Sequence, residues 1–147
     1  PYTTLFRSIC CSMQVDDEVR HALVPVLCVQ TFIENSCKYA MVPGKELVIE
    51  LRVMWLQSEE GDQVAISVSD NGPGLPPDVY EECMKDLVFE KKENHVGIRN
   101  IRQRLHLLYG DKAGFICINH ETGCQFEIIL PLQKPGDGTK EKEGETL

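Results

Sequence analysis

Two runs in which apolar and polar residues alternate, Glu46 to Gln57 (ELVIELRVMWLQ) and Gln63 to Ser69 (QVAISVS), constrain the fold more than any other feature of the chain. A period of two places one set of side chains on each face of a strand, and the polar Glu59-Glu60-Gly61-Asp62 between the runs joins them as a hairpin. A hairpin with one apolar face needs a second layer to cover it. Two stretches have the pattern to do so. Val24 to Ala40 repeats Val26, Val29, Phe32, Ile33 and Cys37 at steps of three and four, with Pro25 in its first turn and Pro43-Gly44 beyond its end. Gly97 to Tyr109 places Ile98, Ile101, Leu105 and Leu108 on one face, with Gly110 as its C-terminal stop. Cys11 to Val15 reads as a further short strand, Asp78 to Leu87 as a short helix, and Phe115 to Asn119 with Cys124 to Leu132 as a second hairpin about Glu121-Thr122-Gly123. Helices interleaved with antiparallel hairpins, without a sustained βαβ repeat, predict an α+β protein: a two-layer α/β sandwich.

The ends are read separately from this unit. Pro1 to Ser8 (PYTTLFRS) resembles the in-frame translation of a sequencing-adaptor primer and joins abruptly to Ile9, so residues 1–8 are set aside as an artefact and the natural protein is expected to continue upstream. Gln133 to Leu147 is rich in Gly, Lys and Glu and reads as a flexible tail, leaving residues 9–132 as the folding unit. A chain of 147 residues buries roughly two thirds of its unfolded surface without a metal or disulfide staple. Its formal charge of −8, with Arg99, Arg102 and Arg104 as the only local basic density, argues against nucleic acid as the main partner. The longest apolar stretch, Ala22 to Ile33, is too short for a membrane span, so no direct membrane contact is expected of this unit. The seven cysteines form no C-x-x-C pair and have no His at zinc-finger spacing. They are read as reduced thiols.

Three separated strings hold residues that a plain core does not require. In Glu34-Asn35-Ser36-Cys37-Lys38-Tyr39, Asn35, Lys38 and Tyr39 fall on neighbouring turns of one helix. An amide oxygen beside a cation suits a magnesium-bound polyphosphate, because the oxygen completes a hard octahedral shell while the ammonium meets phosphate charge. A solvated helix end has the same composition. Asp70-Asn71-Gly72-Pro73-Gly74 follows a strand directly; its carboxylate can accept from an exocyclic amine such as that of adenine, and its glycines permit close backbone approach. An ordinary turn also reads D-N-G. His95-Val96-Gly97-Ile98-Arg99-Asn100 opens the second helix, where free amides suit a phosphate, although a glycine there is also routine helix punctuation.

In this order and spacing the three strings resemble the nucleotide-binding boxes of the gyrase, histidine-kinase and MutL ATPase superfamily, which has the Bergerat ATP-binding fold. VPVLCVQTFIENSCKYA, SVSDNGPGL and GIRNIRQRLHLLYG are similar to the C-terminal catalytic domain of bacterial sensor histidine kinases of the YesM/LytS type, over about Ser12 to Leu132. The resemblance implies a mixed, mainly antiparallel sheet covered on one face by helices, with ATP and magnesium as ligands. It implies that Asn35 ligates magnesium, Lys38 lies near the phosphates and Tyr39 near the nucleotide. Asp70 would read the adenine amino group, Gly72 and Gly74 shape the base pocket, and Gly97 sit against the phosphates. Pro76 to His95 would be a lid that closes over nucleotide.

The string departs from the family at several positions. His95 stands at the first glycine of the third box, Tyr39 where many relatives have His, and Cys124 where Thr often follows the final glycine, which leaves the hydroxyl-mediated link to the adenine site open. Hydrolytic relatives carry a water-activating Glu four residues before the Asn; Thr31 occupies that place, so steady ATP hydrolysis is not expected. None of His21, His95, His106 and His120 lies in the family's phosphoacceptor context. The implied activity is transfer of the γ-phosphoryl group to a histidine on an upstream dimerisation segment, within a homodimeric, membrane-bound parent that has this domain on its cytoplasmic side and a response regulator as partner. The alternatives are a non-catalytic nucleotide-binding module of the same fold and a plain interaction domain.

Overall fold

The computed structural model describes residues 8–85 and 96–136. The predicted hairpin is formed by β2 (Leu47–Leu56) and β3 (Gln63–Asp70), with Leu51 opposite Val68 and Val53 opposite Ile66. β1 (Ile9–Val15) pairs in parallel with β2 along the outer edge. The second hairpin, β4 (Gly114–His120) and β5 (Gly123–Pro131), enters through β5, which lies antiparallel to β3, so the sheet order is β1-β2-β3-β5-β4. The sheet is therefore mixed and mainly antiparallel, as expected. Among the described residues, no helix is long and apolar enough to cross a membrane.

One sheet face carries Ile49, Val64, Ile66, Val68, Phe126, Ile128 and Leu130, all at most 1% exposed. Helices α1 (Cys28–Tyr39) and α3 (Val96–Tyr109) belong to the same core through Phe32 and Cys28, and through Ile98, Ile101 and Leu105. Phe32 stacks on Phe126 with ring centroids 5.1 Å apart and planes 3° from parallel, while Phe115 tilts against both. This trio fixes α1 over β5 and β4, adding about 0.5–1.5 kcal/mol per ring pair beyond area burial. A short helix, α2 (Pro77–Met84), buries Val79 and Cys83 in the same cluster. Its predicted extension to Leu87 falls partly outside the described residues, as do most of Pro1 to Ser8, the lid segment from residue 86 to His95, and the tail beyond residue 136.

The first helix starts later than its periodicity predicts. Residues 21–27 are not helical, Pro25 is not in a helical turn, and α1 begins at Cys28 behind Leu27, whose φ of 68° is left-handed. Two long-range bonds account for this. The Leu23 N–H donates to the Gln133 carbonyl at 2.8 Å, which ties the segment to the exit of β5. Arg104 of α3 donates from Nη1 to the Val26 carbonyl at 2.7 Å. Pro25 also biases Val24 away from the helical region, so the first regular bond of α1 runs from the Thr31 N–H to the Leu27 carbonyl. Gly110 takes φ +57°, as a helix stop requires.

Candidate functional site

The end of β3 and the middle of α1 meet at Asp70. Its Oδ1 accepts from the N–H groups of Gly72 (3.0 Å) and Cys124 (3.2 Å), and its Oδ2 accepts from the Ser36 hydroxyl (2.8 Å). Three elements thus hold one carboxylate, and the first two strings of the sequence are joined by a direct hydrogen bond. The Cys124 link runs through the main chain, so it does not need the hydroxyl that cysteine lacks. The Cys124 thiol lies instead 4.0 Å from the Cys117 sulfur. Hydrogen bonding to Cys124, together with burial, pushes the Cys117 thiol up to about 12, although its contact with Cys83 acts the other way. The Cys83 thiol is raised by its hydrogen bond to Cys117 and by burial. The Cys83 and Cys117 thiols stay protonated at neutral pH and pack as small apolar groups.

Asn35 lies one residue before Ser36 on α1. Its side-chain nitrogen is buried without a hydrogen-bond partner among the described residues. A buried amide left out of the protein's own network is unusual, and its carbonyl oxygen is of the hard class that a divalent cation takes. Lys38 is exposed, with Nζ 5.0 Å from the centre of the Tyr39 ring. The third string also reaches α1. A Cβ added at Gly97, in the first turn of α3, would lie 2.9 Å from the Thr31 methyl group, one turn before Asn35. Thr31 Oγ1 meanwhile donates to the Leu27 carbonyl at 3.0 Å, so the residue at the hydrolytic relatives' Glu position braces the helix start.

The glycines of the second string answer to the scaffold. A Cβ on Gly72 would collide with Ala40 at the end of α1. Gly74 has φ +85°, and a Cβ there would stand 2.5 Å from Asn119 Oδ1. Asn119 explains this crowding: it accepts from the Leu75 N–H at 2.8 Å and donates to the Leu75 carbonyl at 3.1 Å, pinning the loop to β4. Asn71 does the same toward β2, accepting from the Val48 N–H (2.9 Å) and donating to the Glu46 carbonyl (3.1 Å). The loop that presents Asp70 is therefore held on both flanks. Arg102 fixes the end of α2, with Nη1 donating to the Cys83 and Lys85 carbonyls at 2.8 and 2.6 Å and the guanidinium 5.4 Å from the centre of the Phe115 ring.

Of the predicted site residues, Asp70, Gly72, Gly74 and Gly97 sit where elements meet, Asn35 lies one residue from the Ser36–Asp70 bond, and Tyr39 packs at the edge of the core beside the exposed Lys38. Sequence reasoning missed Ser36, Asn119 and Arg102. Ser36 had a signal: it lies four residues after Phe32 on the core face, where a hydroxyl needs a partner. Asn119 and Arg102 act on the backbone of distant segments, which no local pattern records.

Comparison with known proteins decides the family. Residues 22–134 match the family described as histidine kinase-, DNA gyrase B- and HSP90-like ATPase. The chain belongs to this family. Among curated relatives of this ATPase domain, it is 31% identical over 124 residues to the sensor histidine kinase YesM of Bacillus subtilis, covering 83% of the chain and 19% of the relative. It is 27% identical over 133 residues to the sensor protein LytS of the same organism, covering 90% of the chain and 22% of the relative. The chain thus spans about a fifth of the length of these relatives. The histidine kinase domain of a blue-light activated histidine kinase from Erythrobacter litoralis shares the fold, with TM-score 0.61 and 24% identity over 85% of this chain and 55% of that one. Residues 22–134 are accordingly an ATP-binding domain of the kind found in sensor histidine kinases.

Proposed function

We propose that the domain binds magnesium-ATP and passes the γ-phosphoryl group to a histidine imidazole on an upstream segment of its parent protein. In that transfer an imidazole nitrogen attacks the γ-phosphorus, the bond to the β–γ bridging oxygen breaks, ADP leaves, and the imidazole nitrogen gives up its proton. A bound magnesium ion supplies charge neutralisation at the phosphates. The observation that best supports the reading is the Asp70 carboxylate, held in one orientation by Ser36, Gly72 and Cys124 at the mouth of a glycine loop.

In this reading Asp70 accepts from the adenine amino group, and Gly72 and Gly74 let the loop take the course that presents it. The Asn35 amide oxygen is the metal ligand. Lys38, exposed beside Tyr39, meets the phosphates as a mobile cation, and Tyr39 lies beside the nucleotide. Gly97 lets α3 start against α1, so that the amides of its first turn face the phosphates. Catalysis is then placement and charge neutralisation. Thr31 is no base and is committed to Leu27, which fits transfer to an acceptor better than hydrolysis. The parent is proposed to be a membrane-bound homodimer with this domain on its cytoplasmic side and a response regulator downstream.

Calorimetric titration of ATP with magnesium and with a chelator tests the ligand assignment. Binding is expected to be tighter with the metal, and Asn35→Ala to abolish that difference without unfolding the domain. An equal metal dependence in Asn35→Ala would place the ion on other residues.

A further inference from the structure

Ser36 is 2% exposed, and its hydroxyl bond to Asp70 Oδ2 at 2.8 Å ties α1 to the carboxylate. A carboxylate has about four lone-pair positions. Two N–H donors fill those of Oδ1, and Ser36 takes one of the two on Oδ2. One acceptor position is left, and the Ser36 bond fixes where it points. The hydroxyl has a single proton and gives it to Asp70, so toward a ligand Ser36 itself offers only lone pairs. Cys124 provides no competing side-chain donor, since its sulfur faces Cys117. This corner therefore presents acceptors alone.

We propose that Ser36 is a positioning residue for base recognition: by holding Asp70 Oδ2 it makes this corner selective for a purine with a 6-amino donor over one without it. The inference rests on the proposed adenine-reading role of Asp70. It assigns the base preference to a buried serine on α1, a residue that does not itself meet the amino group.

The test compares affinities of the whole chain for ATP and for purine riboside triphosphate, which lacks the 6-amino group, in wild type and Ser36→Ala. Wild type is expected to prefer ATP by about ten-fold or more, the value of a hydrogen bond to a charged acceptor. In Ser36→Ala the preference is expected to fall to about two- to three-fold, through loss of ATP affinity with little change for the 6-unsubstituted nucleotide. A purely structural role would weaken both nucleotides together and leave their ratio intact. A wild-type preference retained in full by Ser36→Ala overturns the inference while sparing the role of Asp70. No preference in wild type overturns the role of Asp70 and the inference with it. Should the alanine variant fail to fold, Ser36→Cys, nearly isosteric and a weak donor, is read the same way, with melting temperature without nucleotide as the folding control.

Discussion

Asp70 accepts three hydrogen bonds from three parts of the chain, two at Oδ1 and one at Oδ2, so both of its oxygens act as acceptors. Asp70→Asn replaces one acceptor oxygen with a donor. Either the Ser36 hydroxyl must turn away or the pair of N–H donors meets an NH2 group. In the first case the acceptor offered to a base is lost; in the second it is kept, but two N–H donors are left facing a donor, and either way ATP affinity is expected to fall by about ten- to a hundred-fold, or roughly 1.5–3 kcal/mol, by titration. Unchanged affinity would remove Asp70 from the base site. At this scale the sequence was informative about Asp70 and Asn35, because strand-end carboxylates and helix-face amides belong to short strings. It was less informative about how they are held. Ser36 lay inside a string already singled out, yet its partner is 34 residues away, and the clasp of Asn119 on Leu75 spans 44.

The contact between α1 and α3 explains the glycine at the third string in packing terms. The missing Cβ of Gly97 faces the Thr31 methyl group, and Thr31 cannot rotate away without losing its bond to the Leu27 carbonyl. Gly97→Ala therefore forces the helices apart at their shared start, at an overpacking cost of about 1–3 kcal/mol that offsets the gain in helix propensity. Thr31→Ser removes the methyl and keeps the hydroxyl. In a double-mutant cycle read by denaturant unfolding, the pair is expected to be less damaging than the sum of its members by about 1 kcal/mol. Strict additivity would show that Gly97 is not needed for this contact. Elements were legible wherever period and punctuation agreed, as for α3 with its stop at Gly110. The start of α1 was not, because the apolar period continues through Val24 and Val26 while Pro25, the Leu23 bond to Gln133 and the Arg104 bond to Val26 hold that stretch out of the helix. Long-range bonds overrode a local pattern.

Across the whole molecule, the order of strands determines whether the three strings can meet. β5 inserts between β3 and β4, which brings the Cys124 N–H to Asp70, and the Phe32, Phe115 and Phe126 rings seat α1 above that junction. Two hairpins and two helices could be read from the sequence, but the insertion of β5 depends on pairing between segments about 60 residues apart, as in Val68 with Phe126. Such pairing leaves no periodic trace; the resemblance to a known fold implied a mixed, mainly antiparallel sheet but not the order of its strands. The domain so assembled has a carboxylate corner proposed to read adenine and an amide suited to a metal, and the histidines it contains were not expected to be acceptors. Its central test is phosphoryl transfer in trans. With γ-labelled ATP, magnesium and a separate histidine-bearing dimerisation segment from a YesM-type relative, acid-labile, base-stable label is expected on that segment, and none on the domain incubated with ATP alone. Label on the domain's own histidines, or no transfer when the domain is saturated with magnesium-ATP, would contradict it.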